Sequence, residues 1–158
     1  MSITVECQGI SATQYEALRA DSDAFLAGKT VTYEPLWSWS LDKSWAASNA
    51  ILARYAEQHA LTYESPFFGG ITLLSEEMFW CSAIAPAAVE QLATLLASVD
   101  EVIFRELYDP GWLASAGTYP RIWQDEDALD YLLPYFVTWR QHVLEAAAQG
   151  QAMIVTLG

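Results

Sequence analysis

The chain opens on a period-two pattern. Ile3, Val5 and Cys7 alternate with Thr4 and Glu6, which predicts a strand over Ser2–Cys7 that Gly9 ends. Ser11-Ala12-Thr13-Gln14 has the form of a capping box and predicts a helix with Tyr15 and Leu18 on its apolar side. Asp21 is placed to cap a further short turn through Phe25 and Leu26, stopped by Gly28. Val31 and Tyr33 alternate within Lys29–Glu34, as a short strand or an extended loop, until Pro35 interrupts. Trp37 and Trp39 stand two apart between serines, so both indoles point the same way if that segment is extended. A helix is expected from Leu41 to His59, capped by Ser40 or Asp42, with Trp45, Leu52, Tyr55 and His59 near one stripe. Leu61–Phe68 reads as extended, Gly69-Gly70 as a turn, and Ile71–Leu74 and Met78–Ile84 as strands around Glu76-Glu77.

The second half is helical by its spacing. Pro86 suits a first helical turn, and Val89, Leu92, Leu96 and Val99 follow at steps of three and four. Asp100 caps a helix through Ile103 and Leu107, and Asp109-Pro110 starts another that Gly117 stops. Asp125-Glu126-Asp127 opens the last helix, where three acids suit the positive end of its dipole. Leu129, Leu132, Leu133, Phe136, Val143 and Leu144 form its apolar face, and Pro134 interrupts it. An interior Pro costs about 3 kcal/mol, so the helix is either kinked or two helices joined near Leu133. Gly150 ends it, and Met153–Leu157 closes the chain as an apolar strand, central or covered on one face. The sum is one α+β domain over residues 1–158: a small mixed sheet packed with four or more helices, with a C-terminal strand after a long kinked helix.

Composition adds a mismatch. The 158 residues carry 20 acids against 7 cations, a formal charge of −13, yet 53% are hydrophobic and 7 are Trp. Disordered acidic tails lack such apolar content, so the acids form a coat on a folded domain. The cations are scattered, which argues against a nucleic-acid or anionic-membrane partner. The N-terminus lacks the basic and apolar regions of a targeting signal, and no apolar stretch reaches transmembrane length. Cys7 and Cys81 lie far apart in apolar segments. Two buried thiols in a reducing cytoplasm are the simpler expectation, with a disulfide as the alternative.

Several segments carry a resemblance to a known family. Leu41-Asp42-Lys43-Ser44-Trp45, Phe68-Gly69-Gly70, Leu107-Tyr108-Asp109-Pro110, Gly117-Thr118-Tyr119-Pro120, Leu129-Asp130-Tyr131-Leu132-Leu133 with Tyr135-Phe136, and Ala146-Ala147-Ala148-Gln149-Gly150 occur in this order. Together they resemble the YfbM-like family, bacterial proteins of unknown function. The resemblance implies a compact α+β fold and no particular reaction. That family commonly has histidine soon after the motif tryptophan, where this chain has Ala46, Ala47, Ser48 and Asn49, and it has a helix-compatible residue in place of Pro134.

Residues that could do chemistry are few. With only His59 and His142 and no paired cysteines, neither a metal nor a cofactor is expected. Cys81 beside either histidine is the one Cys–His option, and a packing thiol is the simpler reading. Gly69-Gly70 precedes a strand rather than a helix, unlike a phosphate cradle. No catalytic residue is assigned. The stronger lead is aromatic: Trp37, Trp39, Trp112 and Trp123 fall in or near expected loops, beside Asp42, Lys43 and Tyr119. Aromatics anchor protein interfaces, and satellite packing under loops is the plain alternative.

These observations lead to three expectations. One is a non-enzymatic, cytoplasmic acidic protein that binds a basic protein partner, as an immunity protein holds a bacterial toxin. The second is a small-ligand-binding protein or hydrolase with a pocket near Asp42, Lys43, Tyr119 and Trp123. The third is a homo-oligomer with tryptophans between subunits.

Overall fold

In the computed structural model, which describes residues 2–22 and 33–158, the opening alternation forms β1 (Val5–Ile10). The strand continues through Gly9 instead of ending there, and its neighbour explains why. β2 (Trp37–Asp42) pairs antiparallel with β1 and sets Trp37 opposite Gly9. A Cβ on Gly9 would lie 1.9 Å from Trp37 Nε1, so the absent side chain makes room for the indole.

β2 also takes Leu41 and Asp42 from the helix expected to begin there. Asp42 ends the strand at φ 46°, a left-handed conformation that Asp adopts more readily than most residues. The helix, α2 (Trp45–Gln58), therefore starts later, with Ser44 as its N-cap instead of Ser40 or Asp42. The Ser44 hydroxyl donates to the Leu41 carbonyl at 2.6 Å. Upstream, α1 (Ala12–Ala20) is capped as expected, Gln14 N–H donating to Ser11 Oγ. The short turn through Phe25 and Leu26, Gly28, and the alternation at Lys29 to Thr32 lie outside the described residues; Tyr33 and Glu34 belong to no strand.

β3 (Ile71–Glu76) and β4 (Phe79–Ile84) form a hairpin. Gly70 leads into it at φ 79°, where a Cβ would sit 2.2 Å from the Ala83 carbonyl oxygen; only glycine permits both the angle and the approach. α3 (Pro86–Ser98) begins on its proline. Asp100 caps α4 (Glu101–Leu107) and Asp109 caps α5 (Pro110–Ser115), each accepting a backbone N–H at 2.9 Å. α6 (Ala128–Ala148) is one helix with Pro134 inside it. Pro134 lies on the exposed side, where water can take up the Asp130 carbonyl that the missing N–H leaves free. β5 (Ala152–Leu157) closes the chain.

The strand order is β2-β1-β5-β4-β3, and every neighbouring pair is antiparallel; the sheet is antiparallel, where a mixed one was expected. β5 is central because it is apolar on both faces. Met153 and Val155 join one core and Ala152 and Ile154 the other, all four at 0% exposure. The larger core lies under α2 to α6 and includes Cys7, Leu41, Phe104, Phe136 and Trp139. The smaller lies under α1, where Tyr15 and Leu18 meet Ile10, Leu73 and Cys81. Cys7 and Cys81 thus belong to separate cores on opposite faces, and both are free thiols.

Candidate functional site

Strand periodicity places Trp37, Trp39 and Leu41 on one face of β2, and that face packs against α6. The Trp37 indole stacks on the His142 imidazole at 4.8 Å and 10°, and its N–H donates to Gln151 Oε1 at 3.0 Å. Trp39 follows, tilted against both His142 and Tyr135 at 6.1 and 6.3 Å. Tyr135 meets Tyr131 edge-on at 5.1 Å. The Tyr131 hydroxyl donates to Asp42 Oδ2 at 2.8 Å and accepts the Lys43 backbone N–H at 3.2 Å. Burial, then the bond to the Asp42 carboxylate, hold Tyr131 protonated well beyond the ordinary phenol range.

The result is a ladder of half-buried rings along β2, from Gln151 to Asp42. It joins four of the residues singled out in the sequence: Trp37, Trp39, Asp42 and Lys43. The other rungs, Tyr131, Tyr135 and His142, were missed. Their signal was there, since 131, 135, 138 and 142 recur at helical steps beside the apolar stripe of α6. Only the pairing of β2 shows that this flank faces tryptophans.

The remaining candidates lie elsewhere. Trp112 is half-buried on α5 beneath the Arg54 guanidinium, 4.4 Å from the ring centre, and Arg54 also reaches Asp109 at 3.4 Å. Tyr119 spends its hydroxyl on the Ile3 N–H at 2.9 Å. Trp123 is 1% exposed, so it is a core residue and not a surface anchor. Its indole donates to the Thr118 carbonyl and its own carbonyl accepts from the Tyr108 hydroxyl. The sequence could not show this, because the segment after Gly117 has no periodicity to mark an inward face.

The ladder holds no group of three His, Cys, Asp or Glu side chains that could bind a metal, nor does any other place among the described residues. Cys81 lies under α1, on the face opposite α6 and His142, and His59 is exposed at the end of α2. Burial pushes the Cys81 thiol up to about 11 and the Cys7 thiol up to about 12, the latter against a smaller opposing pull from Trp139. Both are packing thiols.

The sequence model of a family described as a domain of unknown function, DUF1877, matches residues 1–156. The chain belongs to the DUF1877 family. This DUF1877 chain is similar in structure to YfbM from Escherichia coli, a protein of unknown function. Their TM-score is 0.56 at 12% identity, covering 98% of this chain and 99% of that one. At that identity the likeness shows a shared fold, in agreement with the YfbM-like motifs. A comparison with curated proteins finds no match. Where the motif histidines of relatives were expected, this DUF1877 member uses Asn49 to accept the Tyr63 hydroxyl at 2.8 Å and buries Ser48 completely.

Proposed function

We propose that this chain is a non-enzymatic protein that binds a basic protein partner, as an immunity protein holds a basic bacterial toxin. The observation that carries the reading is the state of the acids. None of those described is buried, and among the described residues only Glu16, Glu101 and Asp109 are ion-paired. An unpaired anionic surface attracts and orients a cationic partner at long range. The aromatic ladder supplies anchors at the contact itself, since half-buried Trp and Tyr lose little conformational entropy when covered. The reading near Asp42, Lys43, Tyr119 and Trp123 as a ligand pocket or hydrolase site has less support, because Trp123 is packed in the core at 1% exposure.

The test is association kinetics with a basic partner purified from the native source or encoded beside this chain. The expected association rate falls about tenfold or more between 20 and 300 mM salt, and Trp39→Ala speeds dissociation. A rate indifferent to salt, or no complex with any such basic protein, overturns the reading.

A further inference from the structure

The C-terminal end of α2 opens onto a groove shared with α3. Tyr55, His59, Leu61 and Thr62 form one wall and Thr94 and Leu95 the other, enclosing about 750 Å³. Leu61 is 46% exposed there. Gln91, Thr94 and Ser98 lie along α3 at intervals of three and four, a stretch of about 10 Å. That is enough to seat about two turns of an incoming helix. The groove continues into a narrower slot bordered by Thr62, Glu64, Gly70 and Leu95.

The floor is apolar and its surroundings are anionic. Glu64 borders the slot, and Glu90 lies one turn before Thr94, whose hydroxyl donates to its carbonyl at 2.9 Å. Neither has an ion-pair partner among the described residues. The last turn of α2 has no basic residue; its Tyr55, Ala56 and Glu57 carbonyls accept the backbone N–H groups of His59, Leu61 and Ala60, and Tyr55 C=O also lies 2.8 Å from His59 Nδ1. The α3 end differs, because Arg140 donates to the Leu96 and Ala97 carbonyls at 2.8 and 3.5 Å. A second copy of this chain is a poor occupant, since it brings another −13 charges to an already anionic rim.

We infer that this groove receives an amphipathic helix from a basic partner. Its apolar stripe lies on Tyr55, Leu61 and Leu95, and its Lys or Arg flanks face Glu64 and Glu90. The inference rests on the partner charge proposed above and adds a surface separate from the tryptophan ladder.

The test uses a labelled helical peptide of about 14 residues, built of Leu and Lys with one apolar stripe, and a scrambled isomer without the stripe. Binding is measured by fluorescence anisotropy at 0.15 M salt. The striped peptide is expected to bind about tenfold more tightly than its isomer. Thr94→Arg, which fills and charges the groove, is expected to weaken it about tenfold or more. Ser75→Arg, the same charge change on exposed β3, should alter it less than about twofold. Thr94 and Ser75 are both exposed, and melting curves confirm that each variant folds. Equal binding of the two peptides, equal weakening by the two arginines, or no saturable binding overturns the inference. In those cases the basic-partner reading still stands or falls on its own salt-dependent association. If striped-peptide binding persists while that association fails, the groove survives and the partner reading does not.

Discussion

Single side chains decide the sheet edge. Gly9 and Trp37 occupy one volume, and any Cβ at position 9 displaces the indole. Gly9→Ala is expected to cost about 1–3 kcal/mol and to change the near-ultraviolet circular dichroism as Trp37 leaves His142; a urea melt measures the first and the spectrum the second. The thiols make a second residue-scale prediction. Cys7 and Cys81 ionise only near pH 12 and 11 in the fold, against about 8.5 for a free thiol. Alkylation at pH 8 should run more than about a hundredfold slower in the folded chain than in urea. The same shift acts on stability. As pH rises past about 8.5 the unfolded chain sheds these protons while the fold keeps them, so the fold loses stability. Stability is full below that pH and falls as pH climbs toward 11 and 12. Tyr63, also raised by burial, extends the loss. Urea midpoints at pH 7, 9 and 10 should fall in that order.

At the scale of elements, every helix start but that of α2 was legible, and strand limits were not. Ser11, Asp100 and Asp109 cap the helices where residue type alone placed them, because a side-chain oxygen meeting N–H groups three residues on is a local interaction. Asp100→Ala should therefore cost about 1 kcal/mol and fray α4, visible as faster amide exchange over Glu101–Phe104. β2 shows the opposite. The Ser40 and Asp42 cap signals competed with the alternation of Trp37, Trp39 and Leu41, and pairing with β1 resolved the contest for the strand. α6 tolerates Pro134 because α3 and β2 pack on its other sides while the proline faces solvent. Pro134→Ala restores a backbone N–H to that exposed face and should raise stability by about 1 kcal/mol, or about 2–4 °C in Tm.

At the scale of the molecule, the acidic coat and the dry interior coexist because they are separated in space. The core under α2 to α6 holds Trp45, Trp123 and Trp139, while the acids stand outside with three ion pairs among the described residues. A surface so charged repels itself, and salt screens the repulsion over about 10 Å at 0.1 M. Tm is expected to rise as NaCl increases from 10 to 300 mM, while complex formation with a basic partner slows over the same range. Both trends come from one field acting within the chain and beyond it.

The sequence by itself determined the α+β class, the order of helices, the caps of α1, α4 and α5 and the inner strand β5, because periodicity, capping and a continuous apolar run act over a few residues. Tertiary structure decided the rest. It chose the antiparallel order β2-β1-β5-β4-β3, separated Cys7 from Cys81 across the sheet, sank Trp123 into the core, and aligned Trp37, Trp39, Asp42 and Lys43 with a flank of α6 about a hundred residues away. Those outcomes depend on which distant surfaces exclude water together, a property of the assembled layers and not of any local window.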